Sequence, residues 1–150
     1  MKKLITHLTL VLSILVSGLI STAQADQTIE TDQYIIHYNA FNSTFIAPDV
    51  AQANNIVRSK YSAMINIAVM KKSADGTHHA IKALISGEAT NRIQQLQPLR
   101  FKLISEGDAQ YYLTSFTFTD ADTLNFMINV QPDPNKDAIT LRFDQQFFTD

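Results

Sequence analysis

The sequence predicts an all-β protein: a two-layer antiparallel β-sandwich of the immunoglobulin-like type, with about seven strands and one short helix after the first strand. Apolar and polar residues alternate with a period of two along most of the chain from residue 33 onward. These segments are short and are separated by turn residues. Strands that each have one apolar face bury that face by packing two sheets together, which is why a sandwich is expected.

The first 25 residues, MKKLITHLTLVLSILVSGLISTAQA, have the three parts of a cleavable signal peptide. Lys2 and Lys3 precede a largely apolar stretch at 4–20, and the Ala-Gln-Ala that ends at Ala25 fits the small-x-small rule for cleavage. A membrane anchor is the alternative, but the apolar stretch is borderline in length and contains several polar residues. We therefore expect cleavage after Ala25, export to the periplasm, and one mature domain over residues 26–150.

The charge of the mature domain argues against two classes of partner. Cleavage would remove Lys2 and Lys3, so the 12 Lys and Arg residues fall to 10 while the 14 Asp and Glu remain, and the net charge becomes −4. No basic block is left to bind nucleic acid or an anionic lipid surface. The chain also contains no cysteine, so core packing alone must stabilise the exported domain.

The first predicted strand is QYIIHY, in which Tyr34, Ile36 and Tyr38 face the core and His37 faces solvent. The alternation ends after Ala40. The next residues are expected to form an irregular connection from one sheet to the other, held by polar side chains that bond to the backbone and by three apolar anchors, Phe41, Phe45 and Ile46. The helix is predicted over PDVAQAN, residues 48–54, because proline suits a first turn and asparagine suits a helix end.

A ligand site in this connection is the alternative to a purely structural role. Its residues would be Asn39, Asn42 and Arg58. We favour the structural interpretation, because a connection forms a site only where its side chains converge on a pocket.

A β-hairpin is predicted from SKYSAMINIAVMKK through SADGT to HHAIKALISGE. A three-residue loop that ends at Gly76 keeps apolar residues opposite one another, whereas a two-residue loop would place core residues against solvent. The expected pairs are Val69 with Ile81, Ile67 with Ala83 and Ile65 with Ile85. The same register places His78 opposite Lys72 and His79 opposite Lys71.

Four further strands with short turns complete the domain. A turn at Gly107 and Asp108 is expected to place Leu103 opposite Tyr112, Leu99 opposite Phe116, and Tyr111 outward opposite Ile104. The segment TLNFMINVQ alternates most regularly, with four inward residues, Leu124, Phe126, Ile128 and Val130. In the last strand, AITLRFDQQFF, the adjacent Phe147 and Phe148 cannot both face the core.

No catalytic motif or cofactor site is evident, so an enzyme is not expected. There is no cysteine nucleophile, no G-x-S-x-G sequence and no glycine-rich phosphate loop, and most acids lie in turns. A metal site at His78 and His79 is disfavoured, because adjacent strand residues point to opposite faces and two lysines oppose them. This basic hairpin end could instead attract an anion.

Five segments resemble a known bacterial family: HYNAFNSTFIAPDVA, RSKYSAMINIAVMKK, ALISGEATN, EGDAQYYL and RFDQQFF. Together they cover essentially the whole mature chain and are similar to the family labelled domain of unknown function 4426. The resemblance implies a short exported protein of a Gram-negative bacterium, largely one β-rich domain in the periplasm. It implies no activity and no catalytic or ligand residues.

Three functions remain open on these observations. The first is a non-catalytic binding or protein-interaction module of the cell envelope, with an envelope protein as its partner. The second is a protein that handles a small periplasmic ligand or a metal through the Asn39 to Asn42 segment or the hairpin end at His78. The third is a hydrolase without a recognisable motif. We expect no cofactor, no nucleic-acid partner and no stable membrane anchor after cleavage.

Overall fold

A computed structural model describes residues 27–149, and these form ten strands, one α-helix and one short 3-10 helix. The helices are α1, Pro48–Ala53, and the 3-10 helix Ser43–Phe45. The strands are β1 Gln27–Glu30, β2 Tyr34–Asn42, β3 Ser62–Lys72, β4 His78–Ala80, β5 Leu84–Thr90, β6 Leu96–Leu99, β7 Lys102–Glu106, β8 Ala109–Thr117, β9 Asp122–Gln131 and β10 Ile139–Phe147. The predicted signal peptide and its cleavage site lie outside the described residues.

The strands form two antiparallel sheets that enclose one core, which confirms the predicted all-β sandwich. We call them sheet A, in the order β1-β2-β3-β8-β7 with β4 also paired to β3, and sheet B, in the order β10-β9-β5-β6. The number of strands exceeds the seven expected, because β1 has only four residues and was not predicted, and because two segments predicted as single strands each contribute to two. HHAIKALISGE divides into β4 and β5, and LRFKLISE is divided between the end of β6 and β7. The helix therefore follows the second strand. Within residues 27–149 no helix is long and apolar enough to cross a membrane.

The core consists of the residues that the alternation places inward. Odd-numbered residues of β3 and even-numbered residues of β8 and β9 are buried between the sheets: Ala63, Ile65, Ile67, Val69, Tyr112, Phe116, Leu124, Phe126, Ile128 and Val130. At the end of β10, Phe147 is 2% exposed and packs edge-on against Phe116, while Phe148 is 55% exposed. The expectation that only one of these two neighbours faces inward is confirmed.

The connection between β2 and β3 differs from the prediction in two ways. It returns to the same sheet instead of crossing to the other, because β2 pairs with β3 over its whole length. Phe45 is 67% exposed, so it does not anchor this segment. The anchor is instead polar: the hydroxyl of buried Ser43 donates to the Ser59 carbonyl oxygen at 3.1 Å and accepts from the Ser59 amide at 3.0 Å. Helix α1 is confirmed, with Pro48 in its first turn.

The predicted hairpin is correct at its tip and wrong beyond it. Strand β4 pairs with β3 in the expected register at three positions, Lys72 with His78, Lys71 with His79 and Met70 with Ala80. The Ile81 amide still donates to the Val69 carbonyl at 2.9 Å. The chain then leaves for sheet B, and β8 occupies the free side of β3. The pairs expected for Ile67 and Ile65 are therefore replaced by Ile67 with Tyr112 and Ile65 with Thr114.

One tyrosine holds the crossing between the sheets. The Tyr112 hydroxyl accepts a hydrogen bond from the Ala83 amide at 2.8 Å and donates one to the Ala83 carbonyl at 2.9 Å. Both backbone groups of Ala83 are thus satisfied outside any strand, where they would otherwise lack partners.

The hairpin formed by β7 and β8 is also partly as predicted. Leu103 pairs with Tyr112 and Ile104 with Tyr111. Leu99 does not pair with Phe116, because it lies at the end of β6 in sheet B, opposite Gly87. The chain crosses from sheet B to sheet A between Leu99 and β7.

Candidate functional site

The outer faces of the two sheets differ in polarity, and this difference marks the candidate site. A sandwich normally presents polar side chains on its outer faces. With Leu84 and Met127 as the apolar exceptions, sheet B follows this rule at most outer positions of its three longer strands: Ser86, Glu88, Thr90, Asn125, Asn129, Thr140, Arg142 and Asp144. The outer face of sheet A is apolar in its middle, where the exposed fraction is low: Ile35, Met64, Ala68, Met70, Ile104, Tyr111 and Leu113.

A groove crosses this apolar face where the neighbours of β3 change. Strand β8 pairs with β3 only as far as Ile67, and β4 begins only at Met70, so neither neighbour flanks Ala68. The resulting depression, of about 820 Å³, is called the hairpin groove. Asn66, Ala68 and Met70 line it along β3, while residues 78–80 and 107–111 form its two sides.

One amide side chain on the face of the hairpin groove has unused hydrogen-bonding capacity. Asn66 Oδ1 is buried and accepts no hydrogen bond within residues 27–149. Gln110 Oε1 is also buried without a partner in this range, but Gln110 has the parity of Tyr112 and projects to the inner face of sheet A. A buried polar atom without a partner costs about 1–3 kcal/mol. Asn66 Oδ1 has almost no exposed surface, so its side chain must rotate toward the groove before a ligand N–H or O–H group can remove this cost. In that arrangement the groove is suited to a hydrogen-bond donor.

The tyrosine of the groove is a neutral hydrogen-bond donor. Partial burial raises the pKa of Tyr111, and the adjacent Glu106 carboxylate raises this pKa further by accepting a hydrogen bond from the phenol and by its negative charge. A phenol with a raised pKa is protonated at neutral pH. Tyr111 therefore supplies an aromatic surface and does not act as a base.

The two histidines of β4 are exposed at the same groove. His79 Nδ1 lies 3.3 Å from Ser73 Oγ. Across from His78, Lys72 Nζ contacts Glu30 Oε1 at 2.6 Å, so its charge is directed toward β1. Over the described part of the chain, no three His, Asp or Glu side chains are close enough to hold a metal ion together.

A second, smaller depression adjoins the groove on the same face. It has a volume of about 210 Å³ and lies between the loop after α1, residues 54–57, and the outer face of sheet A. We call it the loop pocket. Its floor is formed by Met64, Ile104 and Leu113, and Arg100 and Lys102 also line it. Because Ile104 pairs with Tyr111, the two depressions are neighbours.

The structure does not bring the three residues predicted for a ligand site onto one face. Asn39 lies on the outer face of β2, opposite Asn66, whereas Asn42 is three positions further along and projects toward the other face. Asn42 Nδ2 donates to the Phe148 carbonyl at 2.9 Å. The Arg58 guanidinium donates to the Thr44 carbonyl at 2.9 Å. These contacts are structural, and a ligand-binding role for the three residues stays a prediction.

Sequence reasoning missed Asn66. The outward orientation of Tyr111 opposite Ile104 was the one signal that pointed to this face. A second signal was available in β3, whose outward residues include Met64, Ala68 and Met70, an unusually apolar set for a solvent-facing side.

Comparison with known proteins gives a family but no activity. A family model described as a domain of unknown function, DUF4426, matches residues 28–150. The chain is also similar to a crystal structure of a DUF4426 family protein from Pseudomonas aeruginosa PAO1, with 34% sequence identity and a TM-score of 0.71. The match covers 85% of this chain and 98% of that one. None of the curated proteins compared with the chain matches it. The chain therefore belongs to the DUF4426 family.

Proposed function

We propose that this chain is a non-catalytic binding module of the cell envelope whose hairpin groove binds an extended segment of another envelope protein. One observation carries the proposal: a groove on an otherwise apolar sheet face is lined by Asn66, whose Oδ1 is buried without a partner in the described chain. This oxygen requires a donor, and a polypeptide backbone supplies an N–H group at almost every residue.

The remaining surface of the groove favours the same partner. Ala68, Met70 and Ala80 offer apolar contacts to side chains of a bound segment, and methionine adapts to irregular shapes. Tyr111 adds an aromatic surface of the kind that is common at protein interfaces. The volume of about 820 Å³ lies within the range of roughly 300–1,000 Å³ that is typical of ligand sites.

The chemistry of the groove supports a binding role over a catalytic one. Catalysis by a side-chain nucleophile requires a nucleophile and a base within hydrogen-bond reach, with a third group that orients the base. Besides apolar side chains and a phenol whose pKa is raised, the groove contains His78, His79 and Asp108. Ser73, in the exposed loop before β4, approaches His79, but the nearby Asp75 carboxylate is bonded to Thr77.

A randomised ten-residue peptide library, selected against purified residues 26–150, tests this proposal. Selected peptides are expected to bind the unmodified domain in isothermal titration and to bind Asn66→Ala about 2- to 12-fold more weakly, since a hydrogen bond contributes about 0.5–1.5 kcal/mol net. Asn125→Ala, an exposed amide on the outer face of sheet B, is the matched control and is expected to leave affinity unchanged.

Failure of the selection to enrich any peptide above the bare matrix would count against the proposal, as would peptides that bind the Asn66→Ala variant as tightly as the unmodified domain. Location in the cell is tested separately. Osmotic-shock fractionation is expected to release a processed chain whose N-terminal sequence starts at Asp26.

A further inference from the structure

We propose that the loop pocket is a second binding site, for small amphipathic carboxylates of the medium-chain fatty acid class. The inference does not depend on the peptide-binding proposal, because it concerns different residues and a different ligand chemistry. It is carried by an apolar cavity with two adjacent cations that lack a carboxylate partner in residues 27–149.

The apolar part of the pocket is built from both the sheet and the loop. Met64 on β3 is only 3% exposed although it lies on the outer face, and Ile104 and Leu113 lie beside it. On the opposite wall, Val57 is 75% exposed. An aliphatic chain between these two walls would remove apolar surface of Val57 and Leu113 from water.

The volume of the loop pocket limits the length of the aliphatic ligand that it can hold. About 210 Å³ equals the volume of about seven water molecules at roughly 30 Å³ each. An aliphatic ligand of about six to eight heavy atoms is therefore suitable, and the tail of a longer lipid would extend beyond the pocket.

Two cations on one side of the pocket supply the charge preference. Arg100 and Lys102 are exposed and lie two positions apart, and across the described residues neither has a carboxylate oxygen within 4.0 Å. Glu106, the acid on the same face of β7, interacts instead with Tyr111. The mature domain as a whole is negative, so attraction of an anion to this place must come from Arg100 and Lys102.

The wall formed by the loop is fixed in place before any ligand binds. The Ile56 amide donates to the Ala51 carbonyl at 2.8 Å, and Asn54 Nδ2 donates to the Val50 carbonyl at 2.9 Å. Asn55 has a φ of 55°, a left-handed conformation that asparagine tolerates and that ends helix α1. A preformed wall lowers the entropy cost of binding.

Titration of octanoate into ¹⁵N-labelled residues 26–150 tests the proposal. Saturable binding is expected, with amide shift changes centred on Ile56, Ile104 and Leu113. The double variant Arg100→Gln, Lys102→Gln is expected to bind about tenfold more weakly, because two charge-assisted contacts are lost. Lys82→Gln, which removes an exposed cation on the crossing between β4 and β5, is the matched control and is expected to bind as the unmodified domain does.

Two further ligands separate charge from apolar attraction. Octan-1-ol is expected to bind more weakly than octanoate, and octyltrimethylammonium more weakly still. The proposal is overturned if octanoate shows no saturable binding below about 1 mM, if the double variant binds it as tightly as the unmodified domain, or if the cationic amphiphile binds equally well. The octanoate titration and the peptide selection use different ligands and different variants, so this result and the peptide result can fail independently.

Discussion

The hydroxyl of Tyr112 is expected to stabilise the crossing from sheet A to sheet B. Replacing this residue, Tyr112→Phe, keeps the ring in the core and removes only the oxygen. That oxygen accepts from the Ala83 amide at 2.8 Å and donates to the Ala83 carbonyl at 2.9 Å. The change therefore removes two hydrogen bonds at once and leaves both backbone groups of Ala83 without a partner.

The size of the effect follows from these two bonds. Each contributes about 0.5–1.5 kcal/mol net, so their loss is expected to lower the free energy of unfolding by about 1–3 kcal/mol. Ala83 is only partly buried, and water that reaches its backbone would limit the cost to the lower part of this range. A loss of about 2 kcal/mol corresponds to a fall in Tm of roughly 6–10 °C for a domain of this size.

Urea unfolding of purified residues 26–150 measures the change, with Tyr61→Phe as the control. Tyr61 is half exposed, and its hydroxyl makes no hydrogen bond with the described residues. Hydrogen exchange adds a local readout, because the Ala83 amide is expected to lose protection in Tyr112→Phe and to keep it in Tyr61→Phe. A loss below about 0.5 kcal/mol, or one equal to that of Tyr61→Phe, would refute the reasoning.

Three more outcomes are expected, all measured by urea unfolding. Gly87→Ala is expected to lower the free energy of unfolding by about 1–3 kcal/mol, because the added β-carbon would lie 2.9 Å from a side-chain carbon and from a carbonyl oxygen of β9. The control Ser86→Ala is expected to change this free energy little. Asn66→Leu raises it by about 1 kcal/mol, since an unpaired buried oxygen is removed, and a loss of stability would contradict this. Hydrogen bonds from the Thr149 amide and hydroxyl lower the pKa of Asp120 in the folded domain. As pH falls, the unfolded state therefore binds this proton first, and the folded domain loses stability. Below about pH 4, the urea midpoint is expected to fall less in Asp120→Asn than in the unmodified domain.

The inward and outward faces of the strands could be predicted from the sequence, whereas several pairing partners could not. Burial depends on alternation within one strand, which is local. Pairing depends on which strand arrives from elsewhere in the chain. Ile85 illustrates this, because it buries its side chain equally well opposite Ile65 in sheet A, as predicted, or opposite Val130 in sheet B, as found. The two arrangements differ in the crossing at Ala83, held by Tyr112, and in the pairing of β8 with β3.

The candidate site was harder to predict for the same reason. Asn66 occupies an outward position in β3, where a polar residue is normally solvated, so nothing in its local sequence predicts a buried oxygen. It lines a groove because β8 and β4 leave Ala68 without a neighbour on the side away from β2, which is a property of the whole sheet. The sequence instead favoured Asn42 and Arg58 as candidates for a ligand site, and their hydrogen bonds stabilise the fold.

The exchange of partners along β3 also bears on how fast the domain folds. Ile67 pairs with Tyr112, about 45 positions later in the chain, and Ile85 pairs with Val130 over a similar separation. Domains dominated by such distant pairings fold in roughly milliseconds to seconds. Until β8 arrives, a chain that has formed β2 and β3 presents an open strand edge and a row of isoleucines, which favours self-association. A fragment that ends before residue 109 is therefore expected to aggregate in light-scattering measurements, and a soluble monomeric fragment would contradict this account.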